Sequence, residues 1–443
     1  SETASKVTSA IRLHVLDTVN PTTISQITNK LDLSKTLFFV SSKSGTTVEP
    51  LTLEVHFRAA MVDAGNSSVN RKNFIALTDP GTLLAERAIA GEFGTWVLTP
   101  DDVGGRFSAL SAFGMMPAAA TGMNIPAFAE SAVKMAQQCQ VDALENPGLT
   151  LGAFLASNAL EGRDKVTLIT SDEYSMFGMW VDQLLAESTG KNGKGLIPVT
   201  GEPVLILDDF ASDRQFVVFK SGGDEKRINH AILALRNSDH PVFVIEPPTS
   251  DKREIAGEFF RWQFATTAAS SLMDIYPFDQ PDVEASKVKS LELLSDPSVA
   301  IDNISLNAAL DQIKSESSPR YVAITAFLPE SLETTAAFSE LRKAISKQTG
   351  MATTFGYGPR YLHSTGQLYK GGPQNAIVLG FVSAKYDHLS IPGKSYTFGQ
   401  LTEAQADRDF TVMAAGGQTV LPIKIESDLV EELSTAVRAL NNY

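Results

Sequence analysis

An α/β protein built on doubly wound parallel sheets is predicted by three features of the chain. Apolar strand-like runs alternate with helical stretches, the first continuous apolar run empties into a hydroxyl-rich loop ahead of a helix, and the pattern starts again near residue 150. The expected organisation is two tandem doubly wound domains, 1–148 and 149–292, followed by a smaller C-terminal α/β domain, 293–443.

The elements follow in order. Leu13 to Leu16 reads as a short strand, and Asp17, Thr18, Asn20 and Pro21 then favour a turn and a helix start, with the helix over Thr22 to Leu31. Thr36 to Val40 is apolar on both faces, as a buried parallel strand is, and a helix is expected from Val48 to about Asp63. Further strands are expected at Asn73–Leu77 and Gly94–Leu98, with helices over Thr82–Ile89 and Phe107–Thr121 and a mostly helical stretch from Ile125 to Leu144. The second round carries strands at Val166–Thr170, Val204–Leu207 and Val242–Ile245. The third carries Tyr321–Thr325 and Ala376–Phe381, after the punctuation Ser295-Asp296-Pro297.

Composition narrows the function. The 443 residues are 43% hydrophobic and 20% charged, the balance of a globular chain with room for two or three cores. A formal charge of −14 gives no general attraction to nucleic-acid phosphates or anionic lipid, so neither is expected as a partner. The single cysteine, Cys139, and six scattered histidines provide no zinc-ligand spacing and no intrachain disulfide, so no metal is expected and a reducing cytoplasm fits. No apolar run reaches the roughly 20 residues of a membrane span, and no signal-peptide pattern opens the chain.

Five of the seven residues from Ser41 to Thr47 bear hydroxyls, and the loop lies where a strand ends and a helix begins. Ser42, Ser44, Thr46, Thr47 and the helix amides form either an anion site or a serine-rich turn that caps the helix. A P-loop ending is absent, which disfavours nucleotide hydrolysis. Gly104-Gly105-Arg106 makes a second glycine-lined loop, whose guanidinium suits an anion, a developing oxyanion or an ordinary surface ion pair. Glu187 ends an apolar helix, where it opposes the dipole; a general base tolerates that position, and so does a solvated glutamate. Gln280 and Lys287 lie seven apart in a turn that runs into a helix, near one face if Gln280 leads it. His363 is the one histidine in a glycine-bounded polar segment, Gly358 to Gln367, and is the acid/base candidate there.

Ser42-Lys43-Ser44-Gly45-Thr46-Thr47-Val48-Glu49, Gly104-Gly105-Arg106-Phe107-Ser108 and Phe278-Asp279-Gln280 through Lys287 together resemble the signatures of the phosphoglucose isomerase family, over nearly the first 290 residues. The resemblance implies two sugar-isomerase (SIS) domains and interconversion of glucose 6-phosphate and fructose 6-phosphate through a cis-enediol(ate), without metal or organic cofactor. It gives the substrate phosphate to Ser42, Ser44 and Thr47 with help from Lys43 and Thr46, and the base to Glu187. Arg106 would steady the enediolate, Gly105, Gln280 and Lys287 would line the sugar site, and His363 would open the ring, with Lys287 as a candidate for the same task. Tyr357 to Gln367 looks like the isomerase half of bacterial chains that fuse transaldolase to this family, so an N-terminal transaldolase in the parent chain is expected. In ordinary members the ring-opening histidine precedes the Gln/Lys signature, whereas His363 follows Lys287. The family's first strand and Gly-Gly-Ser turn are expected upstream of Leu13, yet residues 1–12 contain no glycine, and the chain reads as a fragment of a longer one. A homodimer is implied as well. A non-catalytic phosphosugar-binding protein and a mere scaffold for a missing half are the competing readings, and the joint presence of Glu187, Arg106, Lys287 and His363 favours the enzyme.

Overall fold

The computed structural model describes residues 11–65, 70–203, 210–220, 225–247, 251–281, 301–316 and 320–441. The expected strand at 204–207 and Lys287 lie outside them. Two compact units emerge: one takes the chain up to Met135 together with 255–259 and 386–402, the other takes 136–254, 260–385 and the chain from Glu403 onward.

The first unit is built on a parallel sheet in sequential order, β1 (Phe38–Ser41), β2 (Phe74–Thr78) and β3 (Thr95–Leu98). Every residue of β2 is buried, as a central strand covered on both faces requires. Phe38 stacks on Phe74 with ring centroids 4.8 Å apart, and the core continues through Ile24, Phe57 and Phe398. The helix Val48–Asp63 covers the sheet, and the helix Pro21–Lys30 starts where Asn20 accepts from the amides of Thr22 and Thr23 and proline fills the first turn. Leu13 to Leu16 is not a strand. Leu13 and Val15 are 51% and 73% exposed, and an apolar run this short gains nothing from extension without a neighbour to pair with. The expected helix from Phe107 to Thr121 divides into a turn of tighter helix, Gly105–Leu110, and the helix Ala112–Ala120, which Ser111 caps.

The second unit holds two parallel sheets of one topology. β4 (Lys165–Ile169), β5 (Ile197–Thr200), β6 (Arg214–Phe219) and β7 (Val242–Ile245) lie in the order β5-β4-β6-β7. β8 (Tyr321–Phe327), β9 (Ala352–Tyr357), β10 (Ala376–Ser383) and β11 (Thr419–Ile425) lie in the order β9-β8-β10-β11. In each, the chain leaves the first strand to one side and returns to the other, which places a topological switch beside that first strand. β5 and β9, the edges on the matching side of each sheet, meet across a polar cluster. Glu202, just beyond β5, accepts from the Thr353 amide and hydroxyl of β9, each at 2.8 Å, and pairs with Arg214 of β6. Arg342 of the helix Leu332–Thr349 donates to the carbonyls of Gly201, Thr200 and Thr353 at 2.7–3.0 Å.

Candidate active site

In the first unit the loop after β1 is folded by its own hydroxyls. Ser42 donates to Thr47 and accepts from the Gly45 amide, each at 3.1 Å, and the hydroxyls of Ser44 and Thr46 lie 3.0 Å apart. Gly45 has φ +67°, and a Cβ there would stand 2.9 Å from Thr82 Cβ, so glycine is required on both counts. Thr47 then opens the helix Val48–Asp63 without a side-chain cap bond, which leaves the first-turn amides of a 16-residue helix facing the hydroxyl loop. Lys43 turns inward. Its ammonium pairs with Asp79 after β2 and donates to the carbonyls of Pro100 (3.2 Å) and Asp101 (3.4 Å) after β3, while Asp79 also takes the hydroxyl of Thr99. One lysine thereby ties together the carboxyl ends of all three strands, where open α/β sheets hold ligands. The Gly104-Gly105-Arg106 loop starts three residues beyond Asp101, and Arg106 is only 2% exposed, its guanidinium carbon 5.6 Å from the Phe107 ring centroid.

In the second unit three residues far apart in sequence converge. Glu187, in the last turn of the helix Ser175–Thr189, is 6% exposed and accepts from the side-chain amides of Gln280 and Gln183, the latter at 3.3 Å. The same Gln183 nitrogen donates to the His363 carbonyl at 2.9 Å. Gln183 is thus a bridge between the carboxylate and the histidine segment, and its i−4 spacing from Glu187 was the available signal for it. The turn after Glu187 is shaped for that segment: a Cβ on Gly190 would stand 2.4 Å from Leu368 Cα, Gln367 donates to the Gly190 carbonyl at 2.9 Å, and the Gly193 amide donates to the Gly371 carbonyl at 2.9 Å. Lys191, four residues after Glu187, holds the loop that carries Gln280, with its ammonium 2.6 Å from the Tyr276 carbonyl and 2.7 Å from Asp279. Glu187, Gln280 and the backbone of His363 are therefore one connected group, while the His363 side chain is exposed.

Beside this group, Asp182 occupies the same helix as Glu187. Burial pushes its carboxyl up to about 7, against the pull of the Arg342 guanidinium. Between about pH 4 and 7 the folded protein keeps a proton that the unfolded chain has released, so stability falls as pH rises through that window and levels off above it. Asp182→Asn removes this slope, and a variant whose urea midpoint runs parallel to the parent's from pH 4 to 8 would refute the assignment. Among the described residues no cluster of His, Cys, Asp and Glu is arranged to hold a metal ion, and no helix is long and apolar enough to cross a membrane.

Comparison with known proteins gives the chain its relatives. The family model "Phosphoglucose isomerase" matches residues 1–207. Glucose-6-phosphate isomerases of Streptococcus pyogenes, serotypes M5 and M49 among them, are 29% identical over 312 aligned positions, covering 61% of this chain and 69% of each relative. Among solved structures, a hypothetical protein of Thermus thermophilus shares the fold with TM-score 0.59 at 23% identity, over 66% of this chain and 80% of that one. The glucose-6-phosphate isomerase of Chlamydia trachomatis shares it with TM-score 0.52 at 18% identity, over 62% of each chain. Through these matches the chain is similar to the phosphoglucose isomerase family, most directly over residues 1–207.

Proposed function

We propose that the protein is a glucose-6-phosphate isomerase, an aldose–ketose isomerase that interconverts glucose 6-phosphate and fructose 6-phosphate. The observation that carries this reading is the convergence of Glu187, Gln280 and the His363 segment through Gln183, which prepares a buried carboxylate among neutral amide donors. The names borne by the relatives agree with it.

In this mechanism His363 assists ring opening, with Lys287 as its companion. Glu187 removes the proton from C2, the electron pair forms the C1=C2 bond of the cis-enediolate as the C1 carbonyl oxygen takes the negative charge, the O2 proton passes to O1, and the same carboxylic acid returns its proton to C1 as the C2 carbonyl forms. Arg106 meets the negative oxygen of the intermediate. Ser42, Ser44 and Thr47, with Lys43 and Thr46, hold the phosphate, while Gly105 and Gln280 line the sugar. The phosphate does not react, so its binding energy is spent on placing C1 and C2 over Glu187. The reaction would serve glycolysis and gluconeogenesis in the cytoplasm, in a homodimer or in a longer chain that carries a transaldolase.

A coupled assay for conversion of fructose 6-phosphate to glucose 6-phosphate tests the reading. Turnover is expected. Absence of turnover would overturn it, and a rise in melting temperature with fructose 6-phosphate without turnover would point to the non-catalytic phosphosugar-binding reading instead.

A further inference from the structure

The segment that carries His363 is fastened on both sides of the histidine to one buried carboxylate that has no part in the chemistry above. Asp409, on the helix Phe398–Ala415, has its side chain 3% exposed. The Tyr361 hydroxyl, two residues before His363, donates to Asp409 Oδ2 at 2.6 Å. The Lys370 ammonium, seven residues after His363 and 10% exposed, pairs with Asp409 Oδ1 at 2.6 Å.

Each arm is constrained in its own right. Tyr361 is 2% exposed and its ring stands edge-on to Phe327, with centroids 5.6 Å apart. Burial, reinforced by the Asp409 charge, holds its phenol well above the usual range, so the hydroxyl stays a donor at any working pH. Lys370 lies in the last turn of the short helix Gly366–Gly371, the helix that packs on the turn after Glu187. The loop between the two arms contains the exposed imidazole, so the carboxylate acts as the fixed point from which His363 is presented. The bond from Tyr361 is charge-assisted, the stronger kind, and a buried carboxylate that takes it on one oxygen and an ion pair on the other defines geometry more sharply than an apolar contact would.

We infer that Asp409 is a positioning residue for His363: by holding Tyr361 and Lys370 on one carboxylate it sets the place of the turn Arg360–His363 relative to Glu187. The kinetic consequence rests on the isomerase reading above, whereas the geometric one does not.

The test is a cycle of Asp409→Asn, His363→Ala and the double variant, read by steady-state kinetics, with the His363 imidazole followed by NMR. Asp409→Asn is expected to lower kcat about 100-fold, the scale of an ångström-sized misplacement, with KM within about twofold. The loss should vanish when His363 is already alanine, because a residue that acts through another contributes nothing in its absence. The His363 ring signals should shift in Asp409→Asn. An equal loss of kcat in both backgrounds, or unmoved His363 signals, would overturn the assignment. If the parent shows no isomerase activity, the isomerase reading fails and the NMR comparison alone decides: shifted signals support the positioning role and unmoved signals refute it. Should Asp409→Asn not fold, Tyr361→Phe removes one arm while keeping the ring in its packing, and the same readouts apply.

Discussion

Glu187→Gln is expected to lower kcat for the conversion of fructose 6-phosphate to glucose 6-phosphate by about 1,000-fold, within the range that a positioned general base contributes. The substitution keeps the shape of the side chain and its burial at 6% exposure, so the change falls on the proton and not on the packing. The carboxylate accepts from two amides, those of Gln183 and Gln280, whereas a glutamine offers one oxygen and turns its own NH2 toward the second donor. That mismatch costs on the order of 1 kcal/mol in placement, far below the effect of losing the base. KM should therefore change little while kcat collapses, the pattern of an interaction used in the transition state. Glu187→Asp separates charge from reach: it keeps the carboxylate but withdraws it by one methylene, and a loss of about 100-fold is expected. The readouts are the coupled assay and exchange of the C2 proton with solvent. Exchange at the parental rate in Glu187→Gln would remove Glu187 from the mechanism.

Local pattern was legible where it decided local structure. The helix Val48–Asp63 and the strand Val242–Ile245 stand where the sequence placed them, because a helical period and a continuous apolar run are properties of neighbours along the chain. Three of the edge strands, β5, β9 and β11, were not legible, whereas the edges β1, β3 and β7 were. Pro198 and Pro422 sit inside β5 and β11, and Thr353, Thr354 and Gly356 inside β9, residue types that weaken a strand reading and that edges tolerate. β6 was hidden differently. It opens with Arg214 and Gln215, which look like surface residues but are fully buried, since Arg214 finds Glu202 and Gln215 donates to the carbonyls of Leu155 and Arg163. The same division holds for the sites. The hydroxyl loop could be read from its composition, since the residues that fold it lie within six positions. The bridge from Gln183 to His363 spans 180 residues, and the clasp of Lys191 on Asp279 spans 88. Such links depend on chain crossings that no local window contains.

At the junction of β5 and β9 two buried guanidinium groups depend on one carboxylate. Glu202→Gln is expected to destabilise that unit by about 3–5 kcal/mol, as breaking one member of a buried ion pair does. Arg214 is fully buried, its guanidinium 4.4 Å from the Phe210 ring centroid, and Glu202 is its anion. Arg342, 4% exposed, also lies in the field of Glu202; burial pulls its guanidinium down from the ordinary range and the Glu202 charge is the largest influence restoring it. A neutral amide at 202 can still accept from the Thr353 amide, so the backbone of β9 keeps its partner. What it cannot do is balance two guanidinium charges taken out of water, and desolvated charge is the costly term. Pairing Glu202→Gln with Arg214→Met should recover a substantial part of the loss, because the second change removes the uncompensated charge and supplies apolar volume beside Phe210. Urea unfolding of the parent, the two single variants and the double variant measures this. If the double variant is no more stable than Glu202→Gln alone, the cost does not lie in the charge on Arg214 but in the hydrogen bonds to Thr353 or the charge left on Arg342.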